Sequence, residues 1–238
     1  MNIITIENVF LWFMIYSFFG WVYETIYCSI VERKFVYRGF LNGPYCPIYG
    51  FGALLDIFAL GRIENPAALF LAGAVLTCSL EYFTGWLLET LFHARWWDYT
   101  DMRFNIKGRV CLLGALAFGA FSVVLIKFIH PFLWWLLSDA PQLFISLLSS
   151  FLLIVLATDI FITVKGLESF ENKLGVLTKG IKARKSRVFE YISDFSKKFN
   201  TQEKRMIMSF PKLSSVKYND ALSALKERLS PRRRRKNK

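Results

Sequence analysis

The sequence predicts an all-α integral membrane protein with about five transmembrane helices. Hydrophobic residues make up 54% and aromatic residues 17% of the 238 residues, and the mean hydropathy of +0.36 exceeds that of a typical soluble domain. A helix needs about 20 mostly apolar residues to cross a bilayer core about 30 Å thick. Five apolar stretches are candidates for such helices, and they cover residues 7–31, 46–62, 66–92, 109–130 and 141–164.

The first and second stretches need separate arguments. The second is the shortest, and it overlaps the Pro- and Gly-rich segment NGPYCPIYGFG at 42–52, so we expect a broken or partly re-entrant span. No basic residue precedes Arg33, and the first stretch is too long for the apolar region of a cleavable signal peptide. We therefore expect the first stretch to remain as a spanning helix.

Charge divides the chain into two parts. Residues 1–164 hold nine Lys and Arg against eleven Asp and Glu, whereas residues 165–238 hold 21 against seven, so the net charges are −2 and +14. Basic residues also follow the first and third stretches, and cytoplasmic loops retain Lys and Arg. The pattern predicts a transmembrane domain at 1–164, a basic cytoplasmic tail at 165–238, and an outside N-terminus with an inside C-terminus.

The tail shows two helical patterns. Apolar residues at helical spacing lie among basic ones at Val188, Ile192, Phe195 and Phe199, and a second set follows at Leu222, Leu225 and Leu229. We expect a basic amphipathic helix that contacts anionic lipids of the inner leaflet, followed by a disordered PRRRRKNK terminus. The tail contains no nucleic-acid recognition pattern, which argues against nucleic acid as a partner.

A motif occurs twice in the apolar part. GWVYET at 20–25 returns as GWLLET at 85–90, and a shift of 65 gives 7 identities in the 27 positions from 20 to 46. Random pairing would give about two. We interpret this as a parallel helix-loop-helix repeat, with one copy at 7–62, a second at 66–130, and an added fifth span at 141–164.

Each copy places a carboxylate, Glu24 or Glu89, inside an apolar helix, and Arg38 and Arg103 repeat with them. An ionised carboxylate facing lipid costs several kcal/mol, so both should face protein. In one interpretation the Glu–Arg pairs only fasten each loop to its helix. In the other they line a shared polar chamber near the cytoplasmic side that binds a substrate head group or relays protons.

Three further acids, Asp56, Glu81 and Asp159, lie in apolar stretches without a basic residue nearby in sequence. A buried carboxyl group without a cation favours its neutral form, so we expect each to hold a proton or to meet a cation. This is the property that a proton- or cation-coupled carrier needs. We therefore predict them as titratable groups.

Other candidate residues complete the predicted site. Candidates for binding or for the cavity wall are Trp21, Trp86, Asn42, Gly43, Pro44, Pro47 and His93. Candidates for contact with lipid phosphate are Arg95, Arg103 and Arg109. Glu89 and His93 are too few ligands for a metal site, the four cysteines are expected to be free thiols, and neither a P-loop motif nor a cofactor motif occurs.

Four segments carry a family resemblance. GWVYET, RGFLNGPYCPIYGFGALL, EYFTGWLLET and RWWDYTDMRFNIKGRVCLLGAL together resemble the bacterial putative ABC-transporter type IV family, the CmpB-like membrane proteins, over about residues 7–165. The resemblance implies a multi-pass protein of the bacterial cytoplasmic membrane that acts as a permease. It does not specify the substrate.

Three classes of function fit these observations. The first is a permease or permease-like subunit, for which a homodimer or a separate ATPase subunit is expected because five spans are few for a complete carrier. The second is a membrane-embedded enzyme or lipid-binding protein acting on lipid head groups. The third is a structural or regulatory membrane scaffold.

Overall fold

The computed structural model describes residues 5–184 and 188–229 and is about 74% helical. The helices are α1 Ile6–Glu32, α2 Pro47–Leu60, α3 Pro66–Phe92, α4 Leu112–Val124, α5 His130–Ser138, α6 Gln142–Lys182, α7 Val188–Ser196, α8 Thr201–Ser209 and α9 Asn219–Leu229. Four two-residue strands form two antiparallel pairs, with β1 Ala94–Arg95 paired to β4 Ser214–Ser215 and β2 Asn105–Ile106 paired to β3 Val110–Cys111. The PRRRRKNK terminus lies outside the described residues.

Among the described residues, four helical stretches are long and apolar enough to cross a membrane: Ile6–Glu32, Pro66–Phe92, Leu112–Ser138 and Gln142–Lys182. The predicted second span corresponds to α2, which is shorter than these four. Its 14 residues extend about 21 Å at 1.5 Å per residue. Cys46 occupies the N-cap and Pro47 the first turn of α2, so the proline fixes where this helix can begin.

Two predicted helix ends are corrected. The fourth span continues past residue 130 to Ser138, through a π-helical segment at Leu125–Ile129 that precedes Pro131. Proline removes one helical hydrogen bond, and the widened turn lets the helix continue around it. Helix α6 also runs past residue 164 without a break, so the predicted domain boundary marks a change in composition within one helix.

Helices α1 and α2 form one antiparallel pair, and α3 and α4 form another. Glycines allow both pairs to approach closely. A Cβ atom at Gly50 of α2 would lie 2.6 Å from the carbonyl oxygen of Phe13, and one at Gly119 of α4 would lie 2.7 Å from that of Phe70. Close approach at small residues is the usual way in which membrane helices associate.

The two pairs differ in the length of their loops. Helices α1 and α3 both have 27 residues, but residues 33–46 join α1 to α2 and residues 93–111 join α3 to α4. The repeated motif therefore lies at different depths. Glu24 precedes the end of α1 by eight residues, whereas Glu89 precedes the end of α3 by only three.

The tail has a protein core of its own. The predicted apolar face lies inside it, since Ile192, Phe195 and Phe199 are buried against the extension of α6, as are Leu222 and Leu225 of α9. The expectation that this face rests on the inner leaflet is thus corrected. The apolar spacing was read correctly, but protein rather than lipid covers the face.

The tail also contacts both loops. The rings of Phe40 and Phe210 lie 4.9 and 5.0 Å from the ring of Trp96, so the first loop, the second loop and the tail meet at one indole. The backbone N–H of Val216 donates to the carbonyl oxygen of His93 at 2.8 Å beside the β1–β4 pair. The ends of α1 and α3 and the extension of α6 therefore lie on the same side of the molecule.

Candidate functional site

The Glu24 carboxylate is fully paired. The hydroxyl of Tyr49 donates to Oε1 of Glu24 at 2.6 Å, and Nε of Arg38 donates to Oε2 at 3.1 Å. Burial disfavours the charged guanidinium, but the adjacent Glu24 outweighs this and raises the pKa of Arg38 above its ordinary value. The predicted pairing of Glu24 with Arg38 is present.

Glu89 has a different partner from the predicted one. Its Oε2 accepts from Nη2 of Arg109 at 2.8 Å and from Nη2 of Arg95 at 3.5 Å, while Arg103 is exposed. The physical reason is the depth of the motif. Glu89 lies so near the end of α3 that it faces the two ends of the loop, whereas Arg103 lies in the loop's exposed middle. Both Arg95 and Arg109, which were predicted to bind lipid phosphate, thus pair with a carboxylate.

Glu81 lies deeper in α3 and is only half satisfied. Its side chain is buried, and Oε1 accepts from the hydroxyl of Tyr99 at 3.2 Å. Its Oε2 is buried and has no hydrogen-bond partner among the described residues. Burial, and then the charges of Glu81 and Glu24, raise the pKa of Tyr99. The Glu24 and Glu81 clusters are therefore electrostatic neighbours.

Asp56 is the second half-satisfied acid. This α2 residue is 2% exposed and lies beside Ser122 of α4. Its Oδ1 is buried without a hydrogen-bond partner in the described part of the chain, and so is the hydroxyl of Ser17 on α1. A buried polar atom without a hydrogen-bond partner lowers the stability of the fold. Packing alone therefore does not explain why an aspartate occupies position 56.

Asp159 has many partners. Oδ1 accepts from the backbone N–H of Asn42 at 3.0 Å, from its side-chain amide at 2.8 Å and from Thr163 at 3.1 Å. Oδ2 accepts from the N–H of Gly43 at 2.7 Å and from the hydroxyl of Tyr45 at 2.6 Å.

These contacts correct the expectation that Asp159 is a lone titratable group. Neutral donors from the loop satisfy it, and in return it satisfies backbone N–H groups that no helix binds. Asp159 lies six residues before Lys165, or about 9 Å into the apolar part of α6. At that depth a carboxylate takes the place that water would otherwise occupy beside the irregular segment leading into α2.

The predicted cavity-wall residues are divided between two environments. Trp21 and Pro47 are half-buried. Trp86 is 45% exposed and Pro44 is also exposed, so neither lies in an enclosed wall. His93 ends α3 in a left-handed conformation with φ of 49° and contacts the tail through its backbone. The exposed indole of Trp86 on a membrane-length helix is a common kind of lipid contact.

The five carboxylates lie in distinct clusters and not around one void. The two cavities that stand out within residues 5–184 and 188–229 have volumes of about 620 and 210 Å³, and none of the five acids lines either. In the same residues no group of three or more His, Cys, Asp or Glu could hold a metal ion. The four cysteines are free.

The family comparison covers the helical part that carries these acids. The model of the putative ABC-transporter type IV family matches residues 11–164, about two thirds of the chain. The chain belongs to this family. With its four membrane-length apolar helices, it is a transporter-like, multi-pass membrane protein. The comparison with curated proteins and the comparison with solved structures gave no match.

The match to the putative ABC-transporter type IV family ends one residue before Lys165, yet the tail beyond it completes the site. Arg205 of α8 donates to the carbonyl oxygen of Leu41 at 3.0 Å and reaches Oδ1 of Asn42 at 3.4 Å. Arg38, which pairs with Glu24, also donates to the carbonyl oxygen of Ser209 at 2.6 Å. Sequence reasoning missed both tail residues, because their partners are more than 160 positions away.

Proposed function

We propose that the chain is a permease-like subunit of the bacterial cytoplasmic membrane in which Glu81 and Asp56 take up and release a proton or a cation during transport. One observation carries the proposal. Each acid is buried in an apolar helix, and each keeps one carboxyl oxygen without a hydrogen-bond partner among the described residues. Carboxyl groups of this kind inside membrane proteins usually mark ion or proton pathways.

The other three acids are assigned to structure. Glu24 and Glu89 are each held by arginine, and Asp159 accepts five hydrogen bonds. A carboxylate held by an arginine or by several hydrogen bonds is poorly suited to exchange a proton on each cycle, because its partners must first be displaced. The fastening interpretation therefore applies to these three, and the transport interpretation applies to Glu81 and Asp56.

The orientation is proposed with the N-terminus outside and the tail in the cytoplasm. The contacts between the tail and both loops support a single shared side, and the basic residues of that side favour the cytoplasm. Helix α2 then returns to the outer side, with residues 42–46 completing a crossing that its 14 residues are too short to make alone. A homodimer or a separate ATPase subunit remains the expected partner.

The proposal is tested by cation flux in sealed vesicles. Purified protein is reconstituted with a trapped pH dye or sodium dye, and an imposed gradient drives uptake. We expect Glu81→Gln and Asp56→Asn each to reduce the rate at least tenfold, because the amide cannot exchange a proton and is a weak cation ligand. The exposed Glu64→Gln is the control and should keep the wild-type rate. Wild-type vesicles without flux, or variants with unchanged flux, would contradict the proposal.

A further inference from the structure

A groove lies along α6 where the helix changes from apolar to charged. Its volume is about 620 Å³, and its lining includes Lys165, Ser169, Asn172 and Lys173 of α6 and Phe195 and Lys198 of the opposite wall. Lys165, Ser169 and Asn172 are spaced by four and three positions, so they share one face of the helix, and Lys173 lies beside Asn172 at the edge of that face. The groove thus begins at Lys165 and extends away from the apolar part of α6.

The groove carries uncompensated positive charge. The ammonium nitrogen Nζ of Lys173 donates to both carboxylate oxygens of the buried Glu203, Oε1 and Oε2, at 2.8 Å each. Lys165 and Lys198 have no carboxylate partner in the described part of the chain, and their ammonium groups lie over the rings of Phe161 at 4.3 Å and Phe195 at 5.0 Å. Glu168 is the acid of the lining, so one carboxylate faces two free ammonium groups.

The position of the groove indicates what reaches it. The residues just before Lys165 expose apolar side chains, with Phe161 60% and Val164 42% accessible, as expected of a surface that faces lipid. One turn further along the helix is the depth of lipid head groups, and there Lys and aromatic side chains are commonly found. Ser169 and Asn172 add neutral donors that can bind phosphate oxygens, and Phe195 adds an apolar wall.

We infer that this groove binds the phosphate group of an anionic phospholipid from the adjoining leaflet, with Lys165 and Lys198 as its charge partners. The proposal follows from the groove's own residues and does not depend on the permease assignment. Ammonium groups act as point charges for phosphate and make no demand on its orientation, which suits a mobile head group. The apolar wall suits the glycerol part of the same molecule.

The experiment measures lipid binding to the full-length protein. Delipidated protein in neutral detergent is titrated with phosphatidylglycerol, and bound lipid is counted by native mass spectrometry. Each basic residue near a membrane surface contributes about fivefold in affinity, so Lys165→Gln with Lys198→Gln should weaken binding by about tenfold or more. The matched double variant Lys179→Gln with Lys182→Gln removes the same charge from exposed positions outside the groove and should bind like the wild type.

Further measurements identify the source of the phosphate and exclude a loss of structure as the cause of weaker binding. Lys165→Arg with Lys198→Arg should retain binding, and all variants should keep the wild-type unfolding temperature because both lysines are exposed. Phosphatidylcholine and inorganic phosphate should compete weakly. Equal loss in both Gln double variants would overturn the groove as the site, and full competition by inorganic phosphate would overturn a lipid as its occupant.

Discussion

Replacing Asp159 with Asn is expected to lower the free energy of unfolding by about 3 kcal/mol or more. The side chain keeps its size, but the amide presents two donors where the carboxylate accepted. One oxygen of Asp159 faces the N–H of Gly43 and the hydroxyl of Tyr45, and an amide nitrogen there would face the Gly43 donor directly. If it turns the other way, it meets the two donors of Asn42.

Thermal unfolding in detergent, followed by circular dichroism, measures this effect. The exposed Asp194→Asn makes the same chemical change and should leave the unfolding temperature unchanged. Asp159→Ala should be at least as harmful as Asp159→Asn, since alanine leaves every loop donor without an acceptor, whereas asparagine keeps one acceptor oxygen. A stable, normally folded Asp159→Asn protein would show that Asp159 does not hold the segment leading into α2.

Replacing Arg205 with Gln is expected to loosen the tail from the membrane part. Arg205 donates to carbonyl oxygens of the first loop, at 3.4 Å for Gly39 and 3.0 Å for Leu41, and its guanidinium lies 5.4 Å from the centre of the Tyr37 ring. Burial lowers the pKa of Arg205, but an arginine stays charged at neutral pH. Charge-assisted hydrogen bonds of this kind contribute about 2 kcal/mol.

Hydrogen exchange measures the loosening directly. We expect amides of α8 and of residues 37–42 to exchange about tenfold faster or more in Arg205→Gln, because the opening equilibrium shifts by that amount. Lys204→Gln on the same helix removes a charge that has no hydrogen bond or ion pair with the loop among the described residues, and this variant should exchange like the wild type. Equal exchange in both variants would mean that apolar contacts alone dock the tail.

Much of the helical architecture could be predicted because apolar length is a local property. The first and third predicted spans agree with α1 and α3 to within one residue at every end. The second, predicted at 46–62 as the shortest stretch, agrees with the 14-residue helix α2 to within two residues at each end. The fourth continued past Pro131 because a π-helical turn accommodated the proline, which spacing alone does not reveal.

The candidate site was predictable only where partners lie close in the chain. Arg38 meets Glu24 across 14 positions within one helix-loop unit. The repeat then suggested Arg103 for Glu89, but a longer second loop placed Arg109 there instead. Four of the five hydrogen bonds that Asp159 accepts come from donors more than 110 positions away, and only Thr163 lies near it in sequence.

The tail shows the same limit for surfaces. Helical spacing identified the apolar faces at Ile192, Phe195 and Leu222, but it could not tell whether lipid or protein covers them. The extension of α6 decides this, because it provides a long apolar partner on which α7, α8 and α9 pack. An amphipathic pattern therefore predicts that an apolar face is buried, but it does not show whether protein or lipid packs against that face.

Infrared difference spectroscopy tests most directly whether Glu81 and Asp56 exchange protons. Reconstituted protein is stepped through a range of pH, and the carbonyl stretch of protonated carboxyl groups is recorded. We expect a reversible carboxyl signal that is reduced in Glu81→Gln and in Asp56→Asn and unchanged in the exposed Glu64→Gln. A signal of undiminished amplitude in both Glu81→Gln and Asp56→Asn would show that neither acid titrates and would contradict a transport role for them.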